Sequence, residues 1–206
     1  MTRQSDTREA LLERFRVESI TEGALRAIAR KGASATMQDI ADESGIVKGT
    51  LYLYFKDRDE LLQRVSEATL SQLLEKLEVV FARGLPFGET IRELVLTKLR
   101  FFDERRDLYR VHFEVRFPGG FDPVCDARRK TAPPQKQMYV DRLTRYFKEV
   151  GGCGEDSHRL ALFLSETVAA VLHRRIPEPA GPKLENDAEF LSDLLLNGLS
   201  GRRKKS

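Results

Sequence analysis

Three features of this 206-residue sequence predict an all-α fold. Apolar residues recur at three- and four-residue spacing in nearly every segment. Convincing alternating apolar–polar runs are absent, and turn signals rich in glycine and proline separate the helical segments. Hydrophobic residues make up 41% of the chain, enough to build a core.

Residues 1–15 read as a flexible polar arm. The first helix is expected from about Arg16 to Lys31, because Val17, Ile20, Ala24, Leu25 and Ile28 share one face and Gly32 follows as a terminator. Thr36, with Asp39 three residues on, forms a capping-box variant that opens a short second helix, and Gly45 closes it. A third helix is expected over Val47–Phe55. Asp57 with Glu60 then marks the start of a long fourth helix, Arg58 to about Arg83, with Leu61, Leu62, Val65, Leu70, Leu73, Leu77, Val80 and Phe81 along its apolar stripe.

Further helices are expected at 88–105, 107–117, 135–150, 156–176 and 186–198, with a shorter candidate at 124–132 ahead of Pro133 and Pro134. The turns between them carry the runs PGGFDP, APP, GGCG and IPEPAGP. The tail at 201–206, GRRKKS, is basic and expected to fray. Domain boundaries follow as an arm at 1–15, a first domain at 16–62, a larger helical domain at 63–200 and the basic tail.

Composition excludes several function classes. No stretch approaches the roughly 20 apolar residues of a membrane-spanning helix, and the first residues lack an apolar leader, so a cytoplasmic protein with no membrane partner is expected. Cys125 and Cys153 are too far apart for CxxC and have no His/Cys cluster around them, so no metal or cofactor is expected. His112, His158 and His173 fall on separate expected helices without a nucleophile motif, HExxH or phosphate loop, which argues against an enzyme. Net charge is only +3, and the first 62 residues hold 10 basic and 11 acidic side chains. Any nucleic-acid affinity must therefore come from a local positive surface.

Residues 36–61, TMQDIADESGIVKGTLYLYFKDRDEL, have the pattern for such a surface. They form two short helices joined by a tight turn, with Gly45 suited to a left-handed backbone and Ala41 small enough for close helix crossing. Ile40, Ile46 and Leu51 fill the space between the helices. On the third helix Val47, Leu51 and Phe55 form the inward stripe, while Gly49 and Leu53 point outward. Thr50 and Tyr52 flank that outer face with hydroxyls suited to phosphate oxygens, and Lys48 has the length to reach a phosphate or a guanine edge. Arg58 at the start of the fourth helix, and Thr36 and Gln38 at the start of the second, face the phosphate strand in the same way.

With these residues in place, positions 16–62 resemble the DNA-binding domain of the TetR (tetracycline-repressor-like) family. The pattern stands here as Gly32, Thr36, Ile40-Ala41, Gly45-Ile46, Gly49-Thr50-Leu51-Tyr52, Tyr54-Phe55 and Asp57-Arg58 ahead of Leu61. The resemblance implies a three-helix DNA-binding domain, a helical effector-binding domain, and a homodimer on a double-stranded palindromic operator, with repression the commoner outcome. Carried onto matching positions, it gives phosphate contacts to Thr36, Thr50, Tyr52 and Arg58 and base-edge positions to Gln38, Lys48 and Leu53, with Gly49 allowing close approach. Val47 stands where many relatives have a small polar residue, and Arg58 where Lys is more usual. A competing reading is an interaction module that keeps the fold without an effector ligand.

The rest of the chain has no comparable motif. Nine of the 17 aromatic residues lie within 101–147, which points to an aromatic-walled effector pocket between the helices at 88–117 and 135–150. Phe101, Phe102, Tyr109, Phe113, Tyr139 and Tyr146 are its expected walls, and His112 and Arg116 its polar groups. The helices at 156–176 and 186–198 are expected to form the dimer interface. Leu160, Phe163, Leu164, Thr167, Val168, Val171 and Leu172 make one face of the first broad, and Phe190, Leu191, Leu194, Leu195 and Leu199 exceed a single core-facing stripe on the second.

Overall fold

The computed structural model describes residues 2–116, 134–176 and 183–198, and within them all side chains except those of residues 2–11, 33, 114 and 116. The candidate helix at 124–132, Phe117, Phe121, Cys125, Leu199 and the basic tail lie outside the described residues. Among the described residues there are nine α-helices and no strand. They are α1 (Thr2–Lys31), α2 (Met37–Ser44), α3 (Lys48–Tyr54), α4 (Arg58–Ala82), α5 (Phe87–Asp103), α6 (Arg106–Arg116), α7 (Pro134–Glu149), α8 (Ser157–Arg175) and α9 (Leu184–Asn197).

Bounds fall within a few residues of those expected, with one large difference. Helix α1 begins at Thr2, so most of the expected arm at 1–15 is helical. Its sequence, TRQSDTREALLERF, has no proline or glycine to interrupt propagation from the packed part of the helix. Pro134, expected only to interrupt, is the first residue of α7, where its missing N–H costs no intrahelical bond.

The chain divides into two compact units. The first contains α1–α3, α4 as far as Thr69, and α6 from Asp107. Its core is built from Ile20, Ala24 and Ile28 of α1, Ile40 and Ala41 of α2, Leu51, Phe55, Leu61, Leu62 and Val65, with Leu108 and Val111 of α6. This grouping differs from a division at residue 62, because α6 brings two buried apolar residues into that core and a hydrogen bond joins Ser66 Oγ to His112 Nδ1 at 2.7 Å.

The second unit holds α4 from Leu70, α5, α7, α8 and α9. Helix α5 buries Ile91, Leu94, Val95, Leu99 and Phe102 along one stripe, and α7 buries Val140, Leu143 and Phe147. An ion-pair network ties the ends of three helices together. The guanidinium of Arg175, 7% exposed, lies 2.8 Å from Asp187 and 3.8 Å from Asp103.

Candidate nucleic-acid interface and candidate effector site

The turn between α2 and α3 is set by Gly45, at φ 68° and ψ 29°, a left-handed conformation that costs glycine little. Its N–H donates to the Asp42 carbonyl at 3.2 Å and that of Ile46 to Ala41 at 3.0 Å, a Schellman arrangement that satisfies the last carbonyls of α2. At the other end of α2 the capping box is complete. The Asp39 amide donates to Thr36 Oγ1 at 3.2 Å, and the Thr36 amide and hydroxyl donate to Asp39 Oδ2 at 2.9 and 2.8 Å. Lys31 Nζ donates to the other carboxylate oxygen, and this bond, with those from Thr36, holds the Asp39 carboxyl well below the usual carboxylate range.

Position α2 further depends on Gly23, which the sequence reading passed over. A Cβ there would meet Ser44 Oγ at 2.0 Å and Ser44 Cα at 2.9 Å, so only glycine lets α1 and α2 approach this closely. Arg26 and Arg30 of α1 then reach Glu43, by a 2.8 Å bond to its carbonyl and a 2.7 Å ion pair.

Helix α3 sits on that frame with one buried and one open side. Leu51 and Phe55 are buried, whereas Val47 is 73% and Leu53 81% exposed. Val47 therefore leaves the inward stripe expected for it. It precedes the first helical residue with an extended backbone, so helical periodicity does not govern its direction. Gly49 is exposed, and a Cβ built there would meet nothing within 4 Å. Lys48 and Tyr52 are exposed and Thr50 half-buried, and no side-chain partner engages any of the three among the described residues.

The remaining candidates are partly committed within the protein. Gln38 is exposed and donates to Asp42 at 2.8 Å. Arg58 Nε donates to the Ala35 carbonyl at 3.3 Å, tying the start of α4 to the residue before the α2 cap. At that start Asp57 caps the Glu60 amide at 2.9 Å, while the Glu60 carboxylate accepts from the Lys56 amide at 2.8 Å.

The expected effector residues divide between the units. Tyr109, His112 and Phe113 belong to α6 in the first unit, with the Tyr109 and His112 rings 6.5 Å apart, and the side chain of Arg116 is outside the described set. Phe101, Phe102, Tyr139 and Tyr146 are buried in the second unit. The Phe101 and Phe102 rings meet edge to face at 5.1 Å. Tyr146 lies between Phe81 at 5.2 Å and Phe87 at 5.8 Å, and its hydroxyl is buried with no hydrogen-bond partner among the described residues.

Beside Tyr139 stands a residue that the sequence reading missed. Lys98 is buried in the apolar stripe of α5, its Nζ 3.1 Å from the Ser165 carbonyl of α8 and 5.2 Å from the Tyr139 ring centroid. Burial, aided by repulsion from Lys136, pushes its pKa down to about 8, and burial pushes the Tyr139 hydroxyl up. The signal in the sequence was a lysine between Val95 and Phe102, at a position where the helical period calls for an apolar side chain. Among the described residues no group of three or more His, Cys, Asp or Glu side chains is placed to hold a metal ion, and no helix is long and apolar enough to cross a membrane.

A glycine-turned pair of short helices, with the outer face of the second open and its lysine unpaired among the described residues, defines a helix-turn-helix domain attached to a helical second unit. Residues 20–65 match the family model for bacterial regulatory proteins of the tetR family. Over those residues the chain is similar to that family. It is 36% identical over 78 residues to an uncharacterized HTH-type transcriptional regulator of Haemophilus influenzae, covering 37% of this chain and 42% of that one. It is 33% identical over 76 residues to the HTH-type transcriptional repressor KstR2 of Rhodococcus jostii, covering 36% of this chain and 37% of that one. These matches span less than half the length of either relative.

Likeness of fold extends further. The fatty acid degradation regulator FadR from Bacillus halodurans superposes with a TM-score of 0.69 at 19% identity, covering 88% of this chain and 98% of that one. FadR from Bacillus subtilis, solved in complex with stearoyl-CoA, gives 0.64 at 17% identity, with 88% and 98% covered.

Proposed function

We propose that the chain is a ligand-responsive transcriptional repressor of cytoplasmic location, which binds a double-stranded palindromic operator as a homodimer and is released from it by a small molecule. The observation that carries this reading is the outer face of α3, where Lys48, Gly49, Thr50, Tyr52 and Leu53 are presented while Leu51 and Phe55 hold the helix to its core. On this reading α3 enters the major groove, Lys48 reaches a guanine or a phosphate, and Thr50 and Tyr52 bind phosphate oxygens. Gln38 and Arg58 flank the site, and Thr36, whose hydroxyl already serves the α2 cap, contributes chiefly by orienting that helix.

Two recognition helices about one DNA turn apart, roughly 34 Å, would fit successive major grooves only over a narrow range of subunit angles. Helix α4 is unbroken from Arg58 to Ala82 and contributes to both units, so a ligand that displaces its second half biases the first. The KstR2 and FadR proteins, a repressor and a regulator crystallised with an acyl-CoA, lend support to repression and to a small-molecule effector. Dimerisation through α8 and α9 is supported by Phe163 and Phe190, 53% and 50% exposed in the single chain.

The test is binding to the DNA upstream of the protein's own gene, by footprinting and by anisotropy at several salt concentrations. Lys48→Ala is expected to flatten the slope of log affinity against log salt by about one unit if it contacts a phosphate, and Tyr52→Ala to weaken binding. Unfolding temperatures should stay unchanged, since neither side chain has a bonded partner to lose among the described residues. Absence of a footprint, or binding indifferent to both substitutions, would remove the regulator in favour of an interaction module.

A further inference from the structure

Lys98 is buried, and among the described residues no carboxylate is bonded to it. Of its three N–H groups, one has an acceptor among the described residues, the Ser165 carbonyl. Glu166, the carboxylate that acts on Lys98 electrostatically, is hydrogen-bonded to Lys136, whose like charge opposes it, so the pair largely cancels. A buried lysine so placed destabilises a helical core relative to an apolar side chain of the same length. A second polar group on the same side of α7 is also unmet. Tyr146 follows Tyr139 by seven residues, two helical turns and roughly 10 Å along the helix, and its hydroxyl is buried with no partner among the described residues. Buried Leu143 lies between them.

We infer that Lys98 anchors an effector site selective for organic carboxylates, with the ligand's apolar body lying along the buried face of α7 and the Tyr146 hydroxyl as a second polar contact. One ammonium matches one carboxylate, and the Tyr139 ring on one side of Nζ and the Ser165 carbonyl on another leave the remaining N–H groups for the ligand's oxygens. The inference deepens the proposed function, since it rests on the second unit receiving the effector.

The full-length protein is titrated calorimetrically with straight-chain carboxylates from butanoate to hexadecanoate and with benzoate, each beside its uncharged alcohol. At least one carboxylate should bind, about tenfold or more tighter than its alcohol, and Lys98→Met should lose that preference. Wild-type affinity should fall as pH rises past about 8, where the ammonium loses its proton, and Lys98→Met should show no such fall. Tyr146→Phe should weaken binding without lowering the unfolding temperature. The unliganded Lys98→Met protein should unfold at the same or a higher temperature.

Absence of carboxylate binding, equal binding by Lys98→Met, or a drop of more than about 5 °C in its unfolding temperature would overturn the inference. The last result would make the ammonium a support of the fold. Anisotropy on the operator separates the two readings. A carboxylate that binds through Lys98 without changing operator affinity leaves the site standing and removes the effector role.

Discussion

Thr36 illustrates how one side chain can look like a ligand contact and serve as a cap. Its hydroxyl accepts from the Asp39 amide and donates to the Asp39 carboxylate, so its single proton is already placed. Thr36→Ala should therefore cost about 1 kcal/mol of stability, measured by urea unfolding, and any loss of DNA affinity should be no larger than the loosened α2 explains. Asp39 adds a pH dependence. Its carboxyl titrates below the unfolded value, so its contribution is present above about pH 4 and lost as pH falls through the folded value.

In Lys98 it is the charged form that the fold disfavours. A lysine whose folded pKa is lowered to about 8 opposes folding while protonated, and that penalty, of order 3 kcal/mol, is relieved as pH rises from about 8 toward 10.4. Wild-type protein should thus gain stability relative to Lys98→Met across pH 8 to 9.5, a difference that thermal melts at matched ionic strength will show. Tyr139 works the other way only at higher pH, above its ordinary value near 10, where an unfolded tyrosine ionises and the buried one does not.

Among the elements, α1 and α2 were legible from spacing and caps, but the reason that they meet was not. Gly23 lies mid-helix, where the sequence alone reads it as a propensity cost of about 1 kcal/mol against alanine. The structure reverses that reading, because a Cβ would drive into Ser44. Gly23→Ala should destabilise the first unit by roughly 1–3 kcal/mol despite the gain in propensity. Ser44→Ala should relieve this only in part, since the Ser44 Cα at 2.9 Å remains. Chemical denaturation of the single and double variants measures both. Val47 fails for a related reason. Four-residue spacing from Leu51 marks it as core, but the helix starts one residue later and leaves it exposed.

At the scale of the whole molecule, the exposed apolar residues of α8 and α9 bear on assembly. Helix α8 divides the face expected from its sequence in two. Ala161, Leu164, Val168 and Leu172 are buried within the subunit, while Phe163 is half-exposed. Phe163→Glu should leave the helix content and unfolding of the subunit nearly unchanged and shift sedimentation from dimer to monomer at micromolar concentration. A wild-type monomer at that concentration would remove the dimer from the proposed function.

By itself the sequence determined the helices, their order and the helix-turn-helix, because caps, turn glycines and apolar periodicity act over a few neighbouring residues and leave local marks. It also marked the outer face of α3, since the direction of a side chain follows from register once a helix is placed. Tertiary structure alone decided that α6 shares the core of the first unit, that Gly23 must lack a side chain, and that Lys98 is enclosed against Tyr139 and Ser165. Each of these depends on segments far apart in the chain coming within van der Waals reach, and the energy of such a contact resides in both partners together.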